Sequence, residues 1–231
     1  MITRSLAALT TGAAIAHAAP AAAAVSAPVR SLLGLRASVG RPATVALTFD
    51  DGPHPEGTPA VLELLAEGGA LATFFLVGEQ VERRPDLVAE IVAAGHEVAL
   101  HGHTHRGHLR LTPRALREDL RRGAAVVGGA AGRPPALHRP PYGLYSAASL
   151  VLVRRAGLEP LLWSRHGRDW SARASDRSIA ERLGEGLRTG EVLLLHDADH
   201  YAPAGSWRRT AAALPRVLEA LGRAGLEARS A

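Results

Sequence analysis

From Ala43 onward the chain alternates short, mostly apolar runs with longer segments that carry helix start and stop signals. This alternation limits the fold more than any other feature of the sequence. Ala43–Phe49, Ala72–Val77, His96–Leu100, Ala136–His138, Leu158–Trp163 and Glu191–Leu195 read as strands, with Leu226–Arg229 as a seventh. Between them Thr58–Gly69, Pro85–Ala94, Thr112–Val127, Ser146–Ala156, Ser175–Leu187 and Ser206–Ala224 read as helices. Thr58 stands as an N-cap with Pro59 at the first helical position, Gly95 and Gly157 as stops, and Pro215 as a bend. Strands apolar on both faces belong in a buried parallel sheet covered by helices. The expectation is therefore an α/β fold, an irregular (β/α)7-type barrel. A doubly wound sheet would also bind at its strand ends, but no glycine-rich phosphate loop follows the first strand.

The polar residues cluster just after the predicted strand ends: Asp50-Asp51, His101 to His108, Arg139, Asp169 and His196. In a (β/α) barrel that is the catalytic face. Four of the eleven histidines fall between His101 and His108. A core would need a partner for every ring nitrogen, whereas neutral imidazole is a common metal ligand. The run therefore reads either as a source of two ligands to a divalent metal or as a polar, His-rich loop. Asp50-Asp51 is a second such feature. Adjacent carboxylates at a strand end are costly to ionise together unless a cation lies nearby, although an acidic turn uses the same residues. On a strand the two side chains point in different directions, so one could bind a metal while the other faces a substrate.

Composition removes several chemistries. The 231 residues contain no cysteine, so disulfides and thiolate sites are excluded and any metal is held by His and carboxylates. All 27 basic residues are Arg, which excludes a lysine base or Schiff-base nucleophile. The net charge is +5 and no basic tract is interleaved with aromatics, so nucleic acid is not an expected partner, while an anionic polymer surface is compatible. Residues 1–42 differ from the rest. Arg4 precedes the apolar run Ser5–Ala16, and Ala16-His17-Ala18 and the Ala run 21–24 offer small-residue cleavage contexts. This predicts a signal-like or anchoring segment, followed by a linker over 27–42. Export to the envelope or outside it is the expected location, with a cytoplasmic chain left open. His17 and Pro20 interrupt the apolar stretch and argue against a full membrane span.

Thr48-Phe49-Asp50-Asp51-Gly52 resembles the first motif of the polysaccharide deacetylases (the NodB-homology group, carbohydrate esterase family 4). His101-x-x-x-His105 is similar to the second motif, Arg139-Pro140-Pro141-Tyr142 to the third, Asp169-Trp170 to the fourth and Leu195-His196 to the fifth. They occur in order across residues 43–231, which the resemblance makes the catalytic domain. It implies Asp51, His101 and His105 as metal ligands and Asp50 as the general base. Arg139 would hold that base, Asp169 would tune the catalytic histidine, and His196 would be the general acid. The Tyr142 N–H would face the oxyanion, and Trp170 and Leu195 would line a small acetyl pocket. The implied cofactor is a divalent metal, zinc first, with cobalt, nickel or manganese admitted by the same donors. The implied substrate is an N-acetylated glycan or glycoconjugate, and few aromatic platforms favour a short glycan, a lipid-linked sugar or nascent wall material. A non-sugar amide hydrolase and an inactive glycan-binding protein are the competing expectations. Two positions depart from the family pattern. Gly102 replaces a usual Ser or Thr, which implies a looser metal site, and His166 stands where an Asp is frequent. His54 is expected at the cleft edge, Trp163 and Trp207 in packing, and Tyr201 on a sugar.

Overall fold

The computed structural model describes Thr11, Gly12 and residues 14–231. The charged start of the signal-like segment, including Arg4, lies outside the described residues. Eight parallel strands form one curled sheet: β1 (Thr44–Asp50), β2 (Thr73–Leu76), β3 (Glu97–Leu100), β4 (Leu137–His138), β5 (Glu159–Pro160), β6 (Arg165–His166), β7 (Val192–His196) and β8 (Glu227–Arg229). Their order is β5-β4-β3-β2-β1-β7-β6, with β8 added to β1. Helices accompany them at α1 (Ala27–Leu32), α2 (Gly57–Glu67), α3 (Gly78–Arg83), α4 (Pro85–Ala93), α5 (Pro113–Ala131), α6 (Ala147–Arg155), α7 (Asp176–Gly184) and α8 (Ser206–Arg223).

Strand alternation divides the apolar residues into two cores. One face of the strands packs on the helices, bringing Leu47, Phe49, Phe74, Leu100 and Leu195 together with Leu65, Ile91, Leu116, Ile179 and Leu214. The other face lines the barrel interior with Val39, Ala46, Phe75, Ala99, Leu137, Leu161 and Val192. Ala46 and Ala99 keep that interior open enough for a long side chain. Arg139 occupies it, fully buried, with its guanidinium 4.0 Å from the centroid of the Phe75 ring.

The register sets the site. On β1 and β7, Asp50 pairs with His196, and β3 aligns Leu100 with His138 on β4. The residues one step beyond, His101 and Arg139, therefore emerge side by side at the same end.

Several expectations are corrected. Residues 27–42, expected as a linker, build part of the barrel. The Leu162 N–H donates to the Arg36 carbonyl and the Val39 N–H to that of Gly190, each at 2.8 Å. Leu35 and Val39 are buried, so the segment crosses the seam between the unpaired sheet edges instead of running free. Helix α2 begins at Gly57, and Thr58 is not its cap. The His54 ring takes that place, its Nδ1 accepting from the N–H groups of Gly57 (2.9 Å) and Glu56 (3.2 Å). Helix α3 was not legible, and the fifth strand shrinks to two residues, with β6 added after it. Among the described residues no helix is long and apolar enough to cross a membrane.

Candidate active site

Asp50 is the last residue of β1 and points into the barrel. Strand alternation would turn Asp51 away from it. Instead Asp51 takes a left-handed backbone (φ 77°), which returns its carboxylate to the same cleft. Four non-glycine residues have positive φ among the described residues, Ala43, Asp51, Tyr142 and Arg168, and the last three lie in loops after strand ends. Asp tolerates this region better than most residues, and strained backbone of this kind gathers at functional sites.

Asp51 meets the two expected histidines. Its Oδ1 lies 3.3 Å from His101 Nε2 and 3.2 Å from His105 Nε2, and the three ligand atoms fall within 4.8 Å of one another. His101 Nδ1 lies 2.8 Å from the Arg139 carbonyl, which can only accept, so Nδ1 carries the hydrogen and Nε2 presents its lone pair to Asp51. A lone pair facing a carboxylate oxygen at that distance repels unless a cation or proton sits between them. Asp51 Oδ1 is buried and has no hydrogen-bond partner of its own among the described residues. Burial alone would raise the Asp51 pKa, but hydrogen bonds from His101 and His105 when their rings carry protons, reinforced by His196, hold it well below the usual carboxylate range; a cation between the groups acts in the same direction once the rings are neutral. Two imidazoles and a carboxylate converging this way fit a divalent cation with open coordination positions.

Arg139 crosses the barrel to reach Asp50. Its Nη1 donates to Asp50 Oδ1 at 2.7 Å and to Thr48 Oγ1 at 2.9 Å, while Nε and Nη2 donate to the carbonyls of Leu161 and Leu162. Every guanidinium nitrogen is thus satisfied, as a buried cation requires. On the opposite side, His196 is held by Asp169. Its backbone N–H donates to Asp169 Oδ2 (2.7 Å) and its Nδ1–H to Oδ1 (3.0 Å). The Thr210 hydroxyl, from α8, donates to the same Oδ2 at 2.9 Å. Burial works against the imidazolium, but Asp169 first, then Asp51 and Asp50, push the His196 pKa up to about 10. Its Nε2 faces the cleft, 4.0 Å from Asp51 Oδ2.

These groups open on a cleft of about 290 Å³ lined also by Tyr142, Gly143, Trp163, Trp170, Leu194 and Tyr201. Tyr142 follows two prolines, which have no N–H, so its amide is the first donor of the turn Pro141–Gly143. The Tyr142 ring is 61% exposed and Trp170 38% exposed, both at the mouth. Trp170 meets the His196 ring edge-on at 5.4 Å. Leu195 does not line the cleft. It is fully buried in the outer core, because it alternates with His196 along β7, and Leu194 shares the His196 face instead.

The loop between His101 and His105 is tied from outside. Asp119 on α5 accepts from the N–H groups of His103 (2.9 Å) and Thr104 (3.0 Å) and from the Thr104 hydroxyl (2.6 Å). Gly102 has φ 90°, and a Cβ there would stand 3.1 Å from Asp119 Oδ2, so glycine suits this arrangement. The loop is anchored by a carboxylate rather than left loose. His103 packs against Gly78, and His108 stacks on His138 at 5.5 Å, both away from the triad. His54 caps α2 and pairs with Asp199 at 3.2 Å; Trp207 is buried beside it. His166 leans on Trp170, and burial lowers its pKa. Asp119, Thr210 and Leu194 were missed in the sequence. Only Leu194 had a signal there, its spacing of two from His196.

Residues 38–161 match the polysaccharide deacetylase family. The chain is 36% identical over 193 residues to a chitooligosaccharide deacetylase of Bradyrhizobium, covering 80% of this chain and 87% of that one. It is 35% identical over 183 residues to a peptidoglycan-N-acetylglucosamine deacetylase of Bacillus cereus, covering 78% and 83%. Its structure is similar to that of a family 4 carbohydrate esterase from Streptomyces lividans solved with acetate, at TM-score 0.73 and 34% identity, covering 82% of this chain and 93% of the other.

Proposed function

The chain belongs to the polysaccharide deacetylase family, and from that premise we propose that it hydrolyses the N-acetyl group of an amino sugar in a chitooligosaccharide- or peptidoglycan-like glycan, releasing acetate and a free amine. The observation that carries this reading is the placement of two charge-paired groups, Asp50 with Arg139 and His196 with Asp169, across one cleft from the Asp51-His101-His105 cluster.

Asp51, His101 and His105 would hold a divalent cation, zinc by preference, whose Lewis acidity polarises the acyl oxygen and makes water a stronger acid. Asp50 takes the proton of the attacking water while Arg139, donating to its Oδ1, keeps the carboxylate aimed. The water oxygen adds to the acyl carbon, and the Tyr142 N–H would donate to the oxygen that gains charge. His196, protonated through its contact with Asp169, gives its proton to the amine nitrogen as the C–N bond breaks. Each such positioned acid or base contributes about 100- to 10,000-fold. Leu194 and Trp163 give the cleft apolar walls suited to an acetyl methyl. Tyr142 and Trp170, exposed at its mouth, suit a sugar ring. The signal-like start of the chain supports export, where a wall or extracellular glycan would be met.

The test is acetate release from chitooligosaccharides, peptidoglycan and an aryl acetate, with added zinc and after chelation. Release from an N-acetylated glycan that chelation abolishes is expected. Cleavage of simple amides, with no acetate from any N-acetylated sugar, would overturn the substrate assignment.

A further inference from the structure

The two histidines of the cluster are held by different means. His101 is oriented in the ordinary way for a metal ligand, through a hydrogen bond from its second ring nitrogen to a carbonyl. His105 has no such bond: its Nδ1 is buried and without a partner among the described residues. What it has is rings. Tyr201 stacks on the His105 imidazole, with centroids 3.9 Å apart and planes 9° from parallel. Tyr142 meets it edge-on at 4.8 Å.

Tyr201 is itself fixed at its far end. Its hydroxyl donates to Glu79 Oε1 at 2.6 Å and accepts from Gln80 Nε2 at 3.0 Å. Gln80 is buried, and both residues belong to α3. The same helix start grips the histidine loop through its backbone, with the Gly78 N–H donating to the Gly102 carbonyl and the Glu79 N–H to that of His103. Helix α3 thus holds both the loop that carries His105 and the ring that covers it.

We propose that Tyr201 is the positioning residue of His105, its stacked ring replacing the hydrogen bond that the imidazole lacks. This rests on the reading of Asp51, His101 and His105 as a cation site. It assigns Tyr201 to the cation and not, as the sequence alone implied, to a sugar. The tyrosine hydroxyl tethers the ring; the ring face sets the angle at which His105 Nε2 meets Asp51 Oδ1.

The two assignments separate in one experiment on the full chain. Zinc affinity is measured by competition with a chromophoric chelator, and the visible spectrum of the cobalt form reports the ligand geometry. KM for a chitooligosaccharide is measured at saturating zinc. Tyr201→Phe keeps the ring, whereas Tyr201→Leu and Tyr201→Met remove it at two different bulks. Loss of a group that orients a metal ligand costs about 10- to 100-fold in affinity, and that rise in Kd is expected for the Leu and Met variants, with a shifted cobalt spectrum and little change in KM. Tyr201→Phe should stay within about threefold of the parent, because the stack remains. Wild-type zinc affinity in the Leu and Met variants, with KM raised, would overturn the proposal and return Tyr201 to the sugar. No zinc bound by the parent chain would overturn both this proposal and the cation reading beneath it.

Discussion

His196 shows how much one neighbour can decide. Its imidazole is largely buried, which on its own would make it neutral at pH 7; the carboxylate of Asp169 reverses that and holds the proton to about pH 10. A general acid must carry its proton when the C–N bond breaks, so its activity persists up to the pH at which that proton leaves. Asp169→Asn removes the charge that raises the pKa. The alkaline limb of the kcat/KM profile should then move to lower pH, and the rate should fall by about 100- to 10,000-fold. An unmoved alkaline limb would detach Asp169 from this role. The leucine pair in β7 gives a second contrast. Leu195→Ala empties a fully buried position and should cost about 2–5 kcal/mol of stability, read by urea unfolding, while leaving KM close to its original value. Leu194→Ala should alter KM, because that side chain faces the cleft. The sequence held the signal that separates the two, since alternation places on the His196 face the residue two positions before it, but motif resemblance pointed to the neighbour, Leu195.

At the scale of elements, the site depends on how the loop from His101 to His105 is held. Its backbone is bound on one side by α3 and on the other by Asp119 of α5. Asp119→Ala leaves three donors without their acceptor and should cost about 1–3 kcal/mol. The same substitution should weaken zinc binding by about 10- to 100-fold, measured by chelator competition. Gly102→Ser restores the residue type frequent in the family, yet here it should destabilise by about 1–3 kcal/mol, because the backbone stays in the left-handed region and the added Cβ presses on Asp119. A neutral or stabilising result in thermal melting would refute that account of the glycine. The helices with periodic apolar faces and the four longer strands were legible, because burial patterns repeat along them. The short strands β4 and β5 were also read at their positions, β5 at too great a length, whereas the two-residue β6 was not: it owes its existence to hydrogen bonds with β7, which leave little trace in a local pattern. Asp119 left none, since it reaches the loop from 15–16 residues away.

The whole molecule carries a cost in acid. His108 and His138 stack in the interior, and burial pushes the His108 pKa down to about 4 and that of His138 well below its usual value. Between an ordinary value of 6.5 and about 4, the unfolded chain binds a proton at His108 that the native chain refuses. Stability therefore falls as pH drops through that window, by about 3 kcal/mol at most from His108. Asp197, raised to about 7 by burial, works in the opposite direction, because its native state keeps a proton the unfolded chain has lost. The difference between the parent and His108→Phe isolates the first effect: measured from pH 7 to 4.5, the parent's unfolding free energy should fall relative to the variant's as pH drops, and parallel curves would refute it. The barrel and the convergence of Asp50, Asp51, His101, His105, Arg139, Asp169 and His196 at one end of it were visible in the sequence because strand ends and motif order coincide; the contribution of residues 36–39 to the barrel seam was not, because nothing in a short segment announces which edge it joins. The central claim is that Asp51, His101 and His105 hold a cation while Asp50 acts as a base without being needed to hold it. It is tested most directly by measuring bound zinc per chain and acetate release on the same preparations of the parent, Asp51→Asn and Asp50→Asn. The account predicts that the parent has both, that Asp51→Asn loses both, and that Asp50→Asn keeps its zinc and loses acetate release. Full release from Asp50→Asn, or release from a parent chain that binds no cation, would contradict it.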